Sequence, residues 1–165
     1  MGEKGNVGGG GVYVEKENLR IEDGGDEDGI TILWRWEKVV QVISHDDWYV
    51  ETLVTDEANQ SWNQIFIYAS CDEKKRGEQL NMLQTMNDVG ELGRVMMGDF
   101  NDILSNEEKE GGNTCSEGSM AMFRDFIRQY GLLDLGFSGH PFTWWNRRSD
   151  VDTIKMRLDR VLYVP

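Results

Sequence analysis

The stretch VMMGDFNDILSNEEKEGG, Val95–Gly112, decides the fold of this chain, because an apolar run stops abruptly at a short polar motif. In an extended backbone, side chains two residues apart point to the same side. Asp99 and Asn101 would therefore present a carboxylate and an amide together, while Phe100 points back into the core. This pair suits the attack of water on a phosphate ester, where positioning and charge stabilisation dominate. Taken alone, the motif is better explained as an Asx turn that closes a strand.

Length and composition indicate one globular domain. The chain has 165 residues, 39% of them hydrophobic, with 6 Trp, 5 Tyr and 6 Phe, which is enough for a core. No apolar run approaches the roughly 18 residues of a membrane span, and the opening MGEKGNVGGGG has no apolar signal-peptide core. We therefore expect an intracellular protein of the nucleus or cytoplasm, not secreted and without a membrane partner. Cys71 and Cys115 lack the spacing of a zinc site or of a disulfide framework.

The net charge of −13 argues at first against a nucleic-acid partner, because Lys and Arg dominate phosphate binding. The distribution of charge weakens this objection. Residues 1–30 hold three basic and eight acidic residues, whereas residues 137–165 hold five basic and three acidic residues. The five basic residues are Arg147, Arg148, Lys155, Arg157 and Arg160. A solvated rim is the simpler explanation of these five residues when they are considered alone.

Residues 1–29 are Gly-rich and acidic, and we predict that they form a flexible lead-in to a domain over residues 30–165. From Gly29 the sequence changes to short β-branched and aromatic runs. These runs are GITILWRW, KVVQVIS, DWYVETLV and NQIFIYAS, and they recur about every ten residues. Their order predicts a series of antiparallel strands.

The hydrophobic period then changes from two to about 3.6, which predicts helices over Glu73–Asn87 and Ser119–Tyr130. Apolar side chains recur at helical spacing in both segments, at Leu80, Leu83 and Met86 and at Phe123, Phe126, Ile127 and Tyr130. Ser119 can cap the second helix and Gly131 can end it. Strands are predicted to include Ile65–Tyr68 and Arg94–Asp99. Strands first, then strands alternating with helices, are typical of an α/β sandwich whose helices cover two packed sheets.

Four stretches taken together carry a family resemblance: IFIYAS, MGDFNDILSNEEKEGG, FRDFIRQYGLLDLGFSGHPFTWWN and RLDRVLYVP. Their order and spacing resemble the endonuclease/exonuclease/phosphatase superfamily, specifically the endonuclease domain of plant non-LTR (LINE-type) retrotransposons. The resemblance covers Gly29–Pro165. It implies a four-layer α/β sandwich, here truncated at both ends, and a DNA endonuclease that uses Mg²⁺ or Mn²⁺. We expect DNA as the partner of the parent protein, and a monomer.

The resemblance also implies roles for four catalytic residues. Tyr68 resembles the tyrosine that hydrogen-bonds the scissile phosphate, although Ala69 replaces the usual glycine after it. Asp99 resembles the aspartate that orients or deprotonates the attacking water, and Asn101 the asparagine that steadies the phosphate. Asp159 resembles the aspartate that orients a catalytic histidine. The plain alternatives are a tyrosine at the edge of the core for Tyr68, and a surface ion pair with a neighbouring arginine for Asp159.

Further residues are implied to bind the substrate. Thr143, Trp144 and Asn146 lie in a strand that borders the nucleic-acid groove of the family, where Trp can stack on bases. Arg157 is also predicted to contact the substrate. For Trp145 a place in the core is predicted instead.

Two departures from the family pattern concern its metal ligand and its histidine. None of Glu3, Glu15 and Glu17 has the strand context of the family's metal-binding glutamate, and neither His45 nor His140 lies in a Ser-Asp-His motif. No metal ligand is therefore assigned. The loss of one carboxylate ligand strongly weakens the binding of Mg²⁺ by a protein. We therefore expect weak metal binding and a weakly active or inactive fragment. The alternative is a non-catalytic remnant that retains nucleic-acid or protein binding.

Overall fold

The computed structural model describes residues 4–7, 10–15, 18–22, 29–33, 38–86, 92–148 and 150–165. The strands are β1 Lys4–Val7, β2 Gly10–Glu15, β3 Asn18–Glu22, β4 Gly29–Leu33, β5 Val39–Asp46, β6 Tyr49–Thr55, β7 Ser61–Tyr68, β8 Arg94–Asp99, β9 Lys109–Glu110, β10 Leu133–Asp134, β11 Trp144–Trp145, β12 Lys155–Met156 and β13 Asp159–Tyr163. The helices are α1 Glu73–Thr85 and α2 Glu117–Tyr130, with short 3₁₀ helices at Asn106–Glu108 and Asp150–Asp152.

A six-stranded sheet in the order β10-β13-β8-β7-β6-β5 forms the centre of the structure. Strands β7 and β8 are parallel and are joined through α1, while the other neighbouring pairs are antiparallel. The carboxyl ends of β7 and β8 therefore meet the amino end of β13 at one edge of the sheet. This edge is where the predicted site residues lie.

The two helices pack on one face of this sheet and form the main core. Leu80 and Leu83 of α1 and Phe123 and Phe126 of α2 are buried, and they share a cluster with Ile65 of the sheet. The predicted helices and the apolar stripe of α2 are therefore confirmed.

The start of α2 differs from the prediction. The cap is Ser116, whose hydroxyl accepts a hydrogen bond from the Ser119 backbone N–H, and the helix begins at Glu117. Ser119 is not the cap because its buried hydroxyl instead bonds the carboxylate of Asp102 at 2.7 Å. The predicted end is confirmed, since Gly131 adopts the left-handed conformation at φ 63° that glycine tolerates best.

A second sheet has the order β1-β2-β3-β4, and its strand β4 packs on the other face of the six-stranded sheet. Ile32 of β4 is buried against Val50 of β6, with Phe66 of β7 packed beside them. In the residues described, the layers thus run from helices to the six-stranded sheet and then to the four-stranded sheet. Strand β4 pairs with β3 and not with β5, so the expected antiparallel series begins only at β5.

Strands β1, β2 and β3 lie within residues 1–29, the segment that composition predicted to form a flexible lead-in. The low average apolar content of residues 1–29 hides two short alternating runs, GVYVE and NLRIE. These runs pair in antiparallel register, with Val12 opposite Ile21. The division of the chain at residue 29 stays a prediction. Neither helix in the described ranges is long and apolar enough to cross a membrane.

Candidate active site

Three of the four predicted catalytic residues lie at the ends of three adjacent strands. Tyr68, the last residue of β7, is the register partner of Asp99, the last residue of β8. On its other side Asp99 is the register partner of Asp159, the first residue of β13. Asn101 follows two residues after Asp99, so the structure brings all four residues to the same edge of the sheet.

The Gly-Asp-Phe-Asn motif makes a tight turn at this edge. Gly98 has φ 132°, and a Cβ atom there would lie 2.0 Å from the carbonyl oxygen of Ile67, so a side chain cannot be accommodated. The backbone N–H of Asn101 donates to Oδ1 of Asp99 at 2.7 Å, which is the Asx turn considered for this motif. The turn and the candidate site coexist, because only one carboxylate oxygen of Asp99 is used by this bond.

The amide of Asn101 ties this turn to the end of β7. Its Nδ2 donates to the carbonyl oxygen of Ala69 at 2.7 Å, and the Ala69 N–H donates to the carbonyl oxygen of Asp99 at 2.8 Å. Asn101 adopts φ 50°, a left-handed conformation that Asn tolerates better than most residues. One N–H of Nδ2 is used by this bond, so the amide oxygen and the second N–H of Asn101 are left for a ligand.

The electrostatics of the site suit a general base. The pKa of the Asp99 carboxyl is raised from 3.8 to about 6, with burial as the largest cause and the negative charge of Asp159 as a further one. The Asn101 N–H and the positive charge of Arg76 act in the opposite direction. A base whose pKa lies just below neutral pH is ionised there and is still basic enough to take a proton.

Tyr68, Asp99 and Asn101 line an open cleft of about 650 Å³, and Trp144 lines it as well. Tyr68 is 44% exposed and Trp144 is 42% exposed, so both rings can be reached by a ligand. Asp159 lies beside Asp99, outside the set of residues that lines the cleft. The exposure of Tyr68 argues against the alternative of a core-edge tyrosine.

Of the four predicted substrate-binding residues, Trp144 alone lies in the cleft lining. The hydroxyl of Thr143 accepts hydrogen bonds from the backbone N–H groups of Leu158 and Asp159, both at 3.0 Å, and so holds the start of β13. The amide of Asn146 is used within its own loop, where it donates to the Asp152 carbonyl oxygen. Substrate contact by Thr143 and Asn146 stays a prediction.

The side chain of Arg157 is buried and paired. It contacts Glu108 at 3.1 Å and Asp134 at 2.8 Å, and Arg160 pairs with the same two carboxylates. A buried guanidinium needs such partners, since leaving it unpaired is costly. Contact between Arg157 and substrate stays a prediction. The alternative of an ion pair between Asp159 and these arginines is not supported.

Trp145 is 58% exposed, so its predicted place in the core is wrong. It lies in β11, which belongs to a small sheet in the order β11-β12-β9. Neighbouring residues of a strand point to opposite faces. Because Trp144 lines the cleft, Trp145 points away from it, and its exposure shows that little packs on that face.

A buried polar network behind the site was not found from sequence. Arg76 of α1 donates to Asp102 at 3.1 Å and to the Ser119 hydroxyl at 2.9 Å, and it also bonds the carbonyl oxygens of Ser70 and Cys71. The network connects both helices with the loops that follow β7 and β8. The sequence does contain an indication of this network, since Arg76 lies one turn before Leu80 on the apolar face of α1.

In the described ranges, no group of three or more His, Cys, Asp or Glu side chains could hold a metal. Asp99 and Asp159 provide two carboxylates. The buried Glu51 of β6 is bonded instead to the Ser44 hydroxyl at 2.7 Å and the Asn63 amide at 2.9 Å. We therefore assign no metal ligand and derive no chemical step through a metal.

No protein-family model matches the sequence, and no curated protein matches it either. Solved structures do match. The endonuclease domain of TRAS1, a telomere-specific non-LTR retrotransposon, superposes with a TM-score of 0.60 at 15% identity, over 82% of this chain and 60% of that chain. An endonuclease/exonuclease/phosphatase family protein from Bacteroides thetaiotaomicron gives a TM-score of 0.53 at 14% identity, over 95% of this chain and 61% of that chain. The fold is that of the endonuclease/exonuclease/phosphatase proteins.

The catalytic domain of human Nocturnin has a TM-score of 0.51 at 14% identity, over 82% of this chain and 52% of that chain. The predicted α/β fold of the endonuclease/exonuclease/phosphatase type is thus confirmed, and the described residues form three layers of the predicted four-layer sandwich. The chain spans between 52% and 61% of the length of these three structures. Identities this low show the fold alone, so an origin in a plant LINE element stays a prediction.

Proposed function

We propose that this chain is part of a DNA endonuclease of the non-LTR retrotransposon type, which hydrolyses phosphodiester bonds slowly as the chain stands. The observation that carries the proposal is the alignment of Tyr68, Asp99 and Asp159 on three neighbouring strand ends beside an open cleft. The matching fold of the TRAS1 endonuclease domain supports it. DNA is the proposed partner, and we propose a monomeric, intracellular protein.

Asp99 is the proposed general base. With a pKa of about 6, its carboxylate is ionised at neutral pH and takes a proton from the attacking water. As the water oxygen bonds to phosphorus, the bond to the leaving oxygen breaks, and that oxygen takes its proton from solvent. The Tyr68 hydroxyl donates a hydrogen bond to the phosphate, and the free amide oxygen of Asn101 accepts one from the water.

The rate is proposed to be low for two reasons. The family resemblance implies Mg²⁺ or Mn²⁺, yet the described residues offer two neighbouring carboxylates and no third donor of this kind. Among the described residues, neither histidine makes a hydrogen bond or an ion pair with Asp159. His140 bonds the backbone of Phe142, and His45 lies in the edge strand β5.

A plasmid-nicking assay tests the proposal. Purified chain is incubated with supercoiled plasmid at low salt with millimolar Mg²⁺ or Mn²⁺, beside Asp99→Ala. We expect slow conversion to open circles that Asp99→Ala abolishes. Asp125→Ala is the matched control, because this half-exposed carboxylate on α2 is not part of the cleft lining and pairs with Arg128. Nicking that survives Asp99→Ala unchanged would refute the assignment of the base.

One observation favours the second candidate, a non-catalytic domain that binds nucleic acid. It is the absence of a three-donor metal group from the described residues. In that case the assay shows no nicking, while labelled DNA still binds in a fluorescence anisotropy titration. If the chain neither nicks nor binds DNA, both candidates are refuted.

A further inference from the structure

We infer that Lys75 is the cation that binds the DNA backbone in this cleft, through a phosphate next to the one that is cut. The inference rests on the proposed function and adds a residue to it. Lys75 lies in the first turn of α1, and its side chain is among those that line the cleft with Tyr68, Asp99 and Asn101.

The position of Lys75 is fixed by the start of the helix. Its backbone N–H donates to the capping carboxylate of Asp72 at 2.8 Å. Gln79, four residues later, also lines the cleft and accepts a hydrogen bond from the Ser70 N–H at 2.8 Å. Residues four apart lie on the same face of a helix, so this face of α1 is turned toward the cleft. Lys75 therefore extends from a rigid element beside the site.

The ammonium group of Lys75 is available, whereas the nearby guanidinium groups are used. Arg76 is bonded to Asp102 and Ser119 behind the site, and Arg157 and Arg160 are paired with buried carboxylates. Within the described ranges, Lys75 makes no ion pair and no side-chain hydrogen bond. It is also the one basic residue among the described residues that line the cleft.

The charge of the cleft makes such a cation necessary. Asp47 and Asp99 line it, and Asp159 lies beside Asp99, so without Lys75 the cleft would repel a phosphodiester. A lysine is a flexible point charge without the fixed fork of an arginine. A contact of this kind adds affinity and reads no base sequence, because phosphates are the same at every base pair.

The test compares Lys75→Ala with Lys74→Ala by anisotropy of a short fluorescein-labelled DNA duplex over a series of salt concentrations. Lys74 is the matched control, since it is an exposed lysine one residue earlier that does not line the cleft. We expect Lys75→Ala to weaken binding equally for unrelated DNA sequences. It should also reduce the slope of log K against log salt by about 1, the loss of one phosphate contact. Lys75→Arg should restore the slope, and Lys74→Ala should leave it unchanged.

The inference is overturned if Lys75→Ala and the wild type have equal salt slopes. It is also overturned if Lys74→Ala loses as much DNA affinity and slope as Lys75→Ala does. Melting curves followed by circular dichroism establish that each variant is folded. Failure of the proposed function is distinguishable, because it appears in the wild type as an absence of both binding and Asp99-dependent nicking. If the wild type nicks and binds DNA, and Lys75→Ala binds DNA with the same affinity and salt slope, only the role of Lys75 is refuted.

Discussion

Asp99 and Asp159 lie directly opposite each other on the antiparallel strands β8 and β13, with their Cα atoms in register. Residues opposite each other in such a pair project their side chains to the same face of the sheet, a few ångströms apart. The negative charge of Asp159 accordingly contributes to the raised pKa of Asp99. Two like charges placed directly opposite each other on neighbouring strands are destabilising.

Asp159→Asn is expected to lower the pKa of Asp99, because it removes this like charge. Burial remains the larger influence, so the pKa should fall below about 6 and stay above 3.8. The shift can be followed by NMR titration of carboxyl-labelled aspartate. Asp47→Asn is the control, since Asp47 lines the cleft and does not contribute to the shift. An unchanged pKa in Asp159→Asn would show that the two carboxylates do not interact.

Asp99→Asn is expected to stabilise the fold, and more so at high pH. The pKa of Asp99 is higher in the folded state than its ordinary value of 3.8, so the wild type loses stability as pH rises from 3.8 through about 6. The variant has no such loss. Its advantage should be small at about pH 3.5 and reach on the order of 3 kcal/mol at about pH 8. Thermal melts at the two pH values test this, and an equal shift in Tm at both would contradict it.

Glu108→Ala is expected to be strongly destabilising. Glu108 pairs with Arg157 and with Arg160, whose side chain is 0% exposed, and it also accepts the Leu104 N–H at 2.7 Å. Removing one partner of a buried ion pair costs about 3 kcal/mol or more. Urea denaturation measures the change. Glu117→Ala is the control, because its pair with Arg124 is exposed and should contribute less than about 1 kcal/mol.

Gly98→Ala is expected to destabilise the protein by roughly 2–4 kcal/mol, because the added Cβ meets a backbone oxygen and φ is strained for any other residue. Gly118→Ala provides the contrast. Gly118 lies in α2 with no atom within 4 Å of an added Cβ, so the change should stabilise by about 0.5 kcal/mol. Equal denaturation midpoints for the two variants would refute the steric argument at Gly98.

Much of the fold was predictable because hydrophobic period reports which side of an element is buried. Phe123 and Phe126 recur at helical spacing and are buried as predicted. The period does not report caps or pairing partners. Ser116 and Ser119 are equally good capping residues in the sequence, and only the tertiary bond of Ser119 to Asp102 decides between them.

The site was predictable in part, for a related reason. Residues at strand ends, such as Tyr68 and Asp99, are placed by a short local motif, so the family resemblance located them. The burial of a long charged side chain is decided by residues distant in sequence. The sequence therefore predicted a substrate contact for Arg157 and did not show its pairing with Glu108 and Asp134.

The strand order β7-β8-β13 also determines at which stage of folding the cleft is assembled. Its polar groups come from segments far apart in the chain, and the last of them, Asp159, reaches its neighbour only through long-range pairing. Closing such large loops is slow, so a partly folded chain can carry formed helices and still have no assembled site. Protection of the Val161 and Met97 amides, which face each other in β13 and β8, would therefore report on site assembly more directly than helix content does.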